Sequence, residues 1–375
     1  MNARLRTVLS CALLLLAGCG RNAGTAYEWQ LPPGFPPPLV PLDNPLTREK
    51  IELGRRLFYD VRLSANATQA CASCHRQALA FTDGAIVATG STGALHQRNS
   101  MSLANVAYAA TFTWAHPGIT TLEQHMLIPL FGDVPVEMNA AGHEAEILRR
   151  LASDPQYPPL FAAAFGTPDG SITFDRITKA IASFVRTLIS FGSPFDRYAF
   201  HGEDAALTPT QIRGMNLFMS ERLECSHCHN GFNFSQFVTH ETARVEDRAF
   251  HNTGLYFLAG DAPVDFDFGL QRVTRDESDK YRFKAPTLRN IEHTAPYMHD
   301  GSIATLADVI DFYAAGGREI ESGPWRGDGR RHPDKSPFIK GFDLSQEEKS
   351  DLLNFLYSLT DTEFLQNSAF SGDPD

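Results

Sequence analysis

The chain has 375 residues, 43% hydrophobic and 21% charged, with a formal net charge of −11. That length allows two domains, each able to enclose its own core. The acidic balance, with no basic stripe, excludes nucleic acid as the expected partner.

The first element reads as an export leader. Arg4 and Arg6 precede an apolar run over residues 8–17, too short to span a bilayer as a mature helix, and Cys19 follows soon after. The tetrapeptide LAGC at 16–19 matches a lipoprotein processing site. It implies a signal peptide over 1–18 and a lipidated Cys19; the alternative is an ordinary cleaved leader with a coincidental cysteine. Both place the protein in the periplasm, the first with a lipid anchor, in the outer membrane. Residues 19–45 are rich in proline and carry no helical period, which predicts a tether between anchor and folded body.

Regular structure is expected from Thr47, a helix cap with Ile51, Leu57 and Phe58 behind it as buried positions. The longest amphipathic pattern covers 174–191, and a break follows. Thr208 and Gln211, with Pro209 between them, form a capping box that starts a new helix. Ser345 with Glu348 caps the last one, whose Leu352, Leu353, Leu356 and Leu359 make an apolar stripe. Strand-like alternation is scarce, so the fold is mainly α. "IELGRRLFYDVRLSANATQACASCH" and "QIRGMNLFMSERLECSHCH" share one outline, helix then loop then C-x-x-C-H. That weak repetition predicts two related domains, 46–200 and 201–375.

Cys71, Cys74 and His75, and again Cys225, Cys228 and His229, carry the chemistry. Two thiols three positions apart can form thioethers to the vinyl groups of one haem, and the adjacent histidine then lies under the iron. Zinc ribbons place their cysteine pairs about 15–20 residues apart, whereas these pairs are 154 apart. A redox dithiol needs no histidine. The expected cofactors are therefore two covalent haem c groups.

A further helix is expected after Thr305, which with Asp308 forms a capping box, and Gly316-Gly317 stops it. Leu306, Val309, Ile310 and Tyr313 share one face, so Tyr313 points inward. For an aromatic on such a face the ordinary reading is core packing.

The two haem motifs, "TTLEQHMLIPLFGDVPVEM" and "FKAPTLRNIEHTAPYMHDGSIATLADVIDFY" together resemble the bacterial dihaem cytochrome c peroxidase and MauG superfamily. The likeness runs from about Thr47 to Leu359, and it is nearest the methanobactin-associated branch, MbnH. It implies two cytochrome c-like domains, each with one covalently bound c-type haem, the haems near the domain interface. It implies peroxide (H2O2) chemistry at the His75 haem and a stored oxidising equivalent, Fe(IV), at the His229 haem. Peroxidases proper place methionine as distal ligand of the second haem; here the resemblance puts Tyr313 there, as in MauG and MbnH. A phenolate is a hard anionic donor that favours high-valent iron, whereas a thioether favours the reduced state. Met298 is the alternative ligand, expected to pack instead.

The resemblance further assigns Glu137 as the acid managing protons at the peroxide haem and Pro129 as a distal-pocket residue. His125 stands where relatives have glutamine, and Trp114 corresponds to the tryptophan between the haems. Core packing is the plain alternative for Trp114, and a solvated surface acid for Glu137. Asn99, Thr294 and Pro296 match an inter-domain calcium site. His96 lies in the loop where peroxidases carry a displaceable distal histidine, but its spacing to Asn99 differs, so the first haem is expected to be open. The implied activity is oxidation of an aromatic residue, tryptophan, on a partner protein, a small exported copper-binding protein. The alternative is peroxide removal with electrons from a small cytochrome or cupredoxin.

Overall fold

The computed structural model describes residues 24–243 and 248–372. The leader and Cys19 lie outside the described residues. Among those described, thirteen α-helices follow in chain order: α1 (Arg48–Phe58), α2 (Cys71–Cys74), α3 (Leu122–Phe131), α4 (Glu144–Ala152), α5 (Tyr157–Phe165), α6 (Phe174–Arg186), α7 (Pro194–His201), α8 (Pro209–Phe218), α9 (Cys225–Cys228), α10 (Gln271–Thr274), α11 (Leu306–Ala314), α12 (Gln346–Tyr357) and α13 (Thr362–Gln366). Strand is confined to two short antiparallel ribbons, residues 251–252 with 282–283 and 319–320 with 327–328. The fold is mainly α, as the pattern predicts. Thr47, Thr208, Thr305 and Ser345 each accept an N–H from the first turn of α1, α8, α11 and α12, which removes one orphan donor per helix.

The repeat hinted at by the sequence is a repeat of packing. α1 crosses α6, and α8 crosses α12, each at a glycine. A Cβ on Gly54 would lie 1.9 Å from the Ala180 carbonyl oxygen, and one on Gly214 would lie 2.0 Å from that of Asp351. Three phenylalanines seal each crossing. Phe58 meets Phe81 and Phe184 at 6.1 and 5.3 Å between ring centres; Phe218 meets Phe234 and Phe355 at 6.0 and 5.3 Å. All six rings are buried.

The helix expected over 174–191 stops at Arg186. Thr187 closes it, its hydroxyl donating to the Phe184 carbonyl at 2.7 Å, and Ser358 closes α12 in the same way on Phe355 at 2.6 Å. The chain leaves the helix there because residues 188–190 are needed elsewhere. Ser190 exchanges two hydrogen bonds with Asn105, its amide reaching Oδ1 at 2.7 Å and its carbonyl accepting from Nδ2 at 3.1 Å. Its backbone neighbour Leu188 accepts the Asn105 amide at 2.8 Å, as Leu359 accepts that of Asn290 at 3.0 Å. Asn290 Nδ2 donates to Ser190 Oγ at 3.0 Å, and Ser190 Oγ donates to Asp361 at 3.0 Å. Asn105 and Asn290 are both left-handed, a conformation asparagine tolerates better than most residues.

Two segments behave differently from their sequence appearance. The proline-rich stretch is not a free tether from residue 24 onward. Phe35 packs on Phe191, Phe200 and Phe232 at 4.2–5.4 Å, Pro36 accepts the Tyr108 hydroxyl, and Asn44 is fully buried against Glu123 at 2.7 Å. Proline stiffness keeps the stretch extended, and its aromatic and polar side chains anchor it. The C-terminal end of the chain returns to the first half: Phe364 packs on Phe81 at 5.7 Å, and Gln77 and Tyr59 donate to the Asn367 and Phe370 carbonyls at 2.8 and 2.7 Å.

If the glycine crossings set the helix pairs, Gly54→Ala and Gly214→Ala should each cost about 1–3 kcal/mol or more through overpacking, read as a lower midpoint of thermal unfolding. Gly260→Ala, where nothing lies within 4 Å, should stay within about 0.5 kcal/mol of the parent.

Candidate functional site

Each C-x-x-C-H motif forms a single helical turn followed by its histidine. The His75 amide donates to Cys71 at 3.0 Å and the His229 amide to Cys225 at 3.1 Å, so each turn carries both thiols and delivers the imidazole just beyond them. His75 Nδ1 donates to the Phe81 carbonyl at 2.7 Å, and His229 Nδ1 to that of Phe234 at 3.2 Å. A carbonyl can only accept, so the proton is on Nδ1 and the Nε2 lone pair is free to meet a metal. Phe81 and Phe234 both sit at positive φ, +62° and +48°, and bring their carbonyls round to the rings. Burial lowers the pKa of both imidazoles, that of His229 to about 4.

Burial pushes Cys71 up to about 12, Cys74 to about 11 and Cys225 to about 12. Neutral buried thiols beside a neutral histidine donor fit a covalent haem.

A cavity of about 460 Å³ opens over His75, with walls from both halves of the chain. His125, Pro129, Glu137 and Trp114 line it from the first half, and Lys284 and Met298 from the second. α3 supplies His125 and Pro129 one turn apart. Pro129 has no amide to meet the His125 carbonyl, and its own carbonyl accepts the Met138 amide at 2.9 Å. That bond folds residues 133–138 back over the helix and brings Glu137 to the same opening. Glu137 also contacts His96, Oε1 to Nε2 at 3.0 Å, both about a quarter exposed. It is thus a pocket-mouth acid that solvent can reach. His125 is partly buried, and that burial lowers its pKa to about 4 against the attraction of Glu137.

Trp114 is buried and donates its indole N–H to the Asn99 carbonyl at 2.8 Å, while its own carbonyl accepts the Lys284 amide at 2.8 Å. It therefore bridges the halves. Asn99, Thr294 and Pro296 line the same cavity. Asn99 Nδ2 donates to Ala85 and Ile86 at 2.8 and 3.3 Å.

Tyr313 lies on the inner face of α11, packed with the core that includes Cys225. Burial raises its pKa, and the two thiols Cys228 and Cys225 raise it further. The phenols of Tyr59, Tyr108, Tyr157, Tyr256 and Tyr297 each donate to an oxygen. No such bond involves the Tyr313 hydroxyl among the described residues. A partly buried phenol beside both thiols is a donor that a metal site there could use.

Sequence reasoning missed Lys284, a buried lysine in the cavity wall. It also missed the fully buried Arg289–Asp196 pair, joined at 2.8 and 2.9 Å beneath Phe191. For Arg289 and Asp196, charged residues among apolar neighbours were the available signal, since such groups are seldom buried unless paired.

Residues 48–205 match the model of the family "Di-haem cytochrome c peroxidase". The cytochrome-c peroxidase IdrP1 of Pseudomonas sp. (strain SCT) is 35% identical over 88% of this chain and 85% of its own length. The chain belongs to the di-haem cytochrome c peroxidase and MauG family. The methylamine utilization protein MauG of Methylorubrum extorquens is 34% identical, over 85% of this chain and 80% of its own. A solved structure of a MauG-like protein associated with microbial copper homeostasis matches with a TM-score of 0.89 and 48% identity, over 92% of this chain and 99% of that one. The protein is thus a haem oxidoreductase, and membership of a di-haem family implies two c-type haems.

Replacing Cys71 and Cys74 together by alanine, or Cys225 and Cys228 together, should reduce covalent haem from about two per chain to one, counted by pyridine haemochrome and intact mass. Acid stability tests the buried imidazole. The His125 pKa falls from 6.5 unfolded to about 4 folded, so the unfolded chain binds the extra proton. Its contribution to stability is full above about pH 6.5 and is lost as pH falls toward 4. His125→Gln should flatten the stability–pH slope in that window by up to ~1.4 kcal/mol per pH unit.

Proposed function

We propose that the protein uses hydrogen peroxide to oxidise an aromatic side chain, a tryptophan, on a partner protein, with the two haem sites acting together over a distance. The observation that carries this reading is Tyr313, a partly buried phenol with no protein hydrogen bond among the described residues, set beside the second pair of haem cysteines. In that position a thioether would suit a site that passes electrons, and a phenolate one that keeps an oxidising equivalent.

Cys71 and Cys74 would hold one haem and Cys225 and Cys228 the other, with His75 and His229 as proximal ligands. Bound haem supplies the redox iron at which peroxide is cleaved. Glu137 is the group placed to move the proton, since its carboxylate is at the mouth and exchanges with solvent through His96. His125 stays neutral at working pH and offers a hydrogen bond without adding charge. Pro129 presents no N–H and keeps that side of the pocket dry. Trp114 is held at both its indole and its carbonyl, which fixes the ring between the halves as a relay for holes. Tyr313 must give up its phenolic proton to ligate, and its raised pKa means that only a metal would draw that proton off.

Asn99, Thr294 and Pro296 are proposed to hold a calcium ion. The Asn99 amide nitrogen is committed to two carbonyls, which leaves its side-chain oxygen for a cation. Export to the periplasm and a lipid anchor at Cys19 complete the proposal. The partner is proposed to be a small exported copper-binding protein, consistent with the copper association of the 48% identical solved structure. No helix among the described residues is long and apolar enough to cross a membrane.

Peroxide removal is the competing reading, favoured by relatives named cytochrome-c peroxidases. Stoichiometric peroxide added to the fully oxidised holoprotein separates the two. Retention of about two oxidising equivalents per chain, counted by reductive titration, is expected in the parent, and Tyr313→Met should lose them at least tenfold faster. If the parent retains none until one haem has first been reduced, Tyr313 is a core residue and the protein is a peroxidase fed by a small electron donor.

A further inference from the structure

Lys284 is 7% exposed, and its ammonium donates to one oxygen, the Thr111 carbonyl at 2.8 Å. An ammonium has three donors, and no carboxylate pairs with this one among the described residues. Burial is the sole influence on its pKa, lowering it to about 7. Two hydroxyls of the same segment are also enclosed without any partner, Thr111 Oγ1 and Thr113 Oγ1. Thr113 and Lys284 both line the cavity that holds His75 and Trp114. A buried cation with two unused donors, beside two orphaned hydroxyls, is costly as it stands. The arrangement asks for an anion with more than one acceptor oxygen.

Glu137 cannot be that anion, because it is engaged with His96 at the mouth. Asp83 accepts from Ser100 and from the Ala85 amide. The cofactors bring their own anions: each haem carries two carboxylate side chains, which c-type attachment through the vinyl groups leaves free. We propose that Lys284, with the Thr113 hydroxyl, is the seat of a haem carboxylate in the cavity between the two halves. Lys284 also donates its backbone amide to Trp114, so one residue fixes both the cofactor's acidic edge and the tryptophan's position. Of the other cationic side chains lining the cavity, Arg98 is paired with Asp267 and Arg272 donates to Gln97, while burial keeps His125 neutral. The inference depends on haem occupancy alone and stands or falls apart from the identity of the oxidised partner.

The test uses the holoprotein with both haems. In Lys284→Met, loss of the cation beside the carboxylate should shift one haem's oxidised-to-reduced ratio about tenfold toward oxidised at fixed potential, about 59 mV for a one-electron couple. Lys284→Arg should restore it. The propionate bending band in resonance Raman spectra should move in the methionine variant and return with arginine. A shift confined to the haem that binds exogenous ligands assigns the carboxylate to the His75 haem, and one confined to the other assigns it to the His229 haem. Unchanged potentials and bands for both haems in Lys284→Met would overturn the proposal and leave Lys284 as a neutral lysine tethering Thr111. Where the methionine variant does not mature, Lys284→Gln and Thr113→Val read the same band, and its constancy in both is equally adverse.

Discussion

Everything in this structure hangs on the requirement that polar groups shut away from water be paired. Ser190 is the clearest case. It is fully buried, as are Asn105 and Asn290, and the three are joined with Asp361 in one hydrogen-bonded cluster. One asparagine comes from each half, at equivalent places in the two packing units. Removing any member leaves others with unmet donors or acceptors in a region water does not reach. The two halves are therefore held in one relative position by hydrogen-bond satisfaction, and apolar packing fills around it. The Arg289–Asp196 pair adds a second fixed point close by, with the guanidinium also donating to the Phe232 carbonyl.

The same requirement shapes the site. Each histidine beyond a C-x-x-C turn would be a buried imidazole with two polar nitrogens. A left-handed phenylalanine supplies a carbonyl for one nitrogen, and the lone pair of the other is left free for a ligand. The left-handed backbone is itself unfavourable for phenylalanine. Its aromatic ring is clamped in the three-ring seal of the helix crossing, which holds the strain in place. Histidine, seal and glycine crossing thus form one mechanical unit, present twice. In the cavity the charges are sorted by access to solvent. Glu137 sits where water reaches it, partial burial holds His125 neutral, and Lys284 is buried with no carboxylate partner among the described residues.

Much of this was legible in the chain. The caps at Thr47, Thr208, Thr305 and Ser345 have local signatures, and each helix starts where its cap lies. Gly54 and Gly214 occupy the same place in two aligned segments, although only the three-dimensional crossing explains why no side chain is allowed there. The end of the 174–191 pattern was not legible. Residues 187–190 continue the apolar period, but Ser190 is claimed by Asn105, 85 positions earlier. The proline-rich stretch misled for a related reason. Composition reports that it is stiff and extended, whereas docking depends on Phe35 finding Phe191 and Phe232, partners about 160 and 200 residues away. Lys284 sits in the family-like run "FKAPTLRN" and looks like any surface lysine between apolar neighbours. Only its place behind Trp114 shows it to be buried.

A core tyrosine and a ligand tyrosine differ in what happens to the hydroxyl. Core tyrosines of this protein keep the ring in the apolar interior and pass the hydroxyl to a carbonyl or carboxylate, as Tyr297 does with Ile291 at 3.1 Å and Tyr256 with Asp300 at 2.6 Å. Tyr313 has a partly buried ring and, like Tyr198 against the same core, no such hydrogen bond among the described residues. If packing were its whole purpose, phenylalanine would fill the space without an unpaired hydroxyl, as Phe312 beside it does while buried in the same core. The residue is only partly buried, so its hydroxyl is left available rather than sealed in the core. The thiols of Cys225 and Cys228 are near enough to raise its pKa. A haem held by those thiols and His229 would be the group for that hydroxyl to meet.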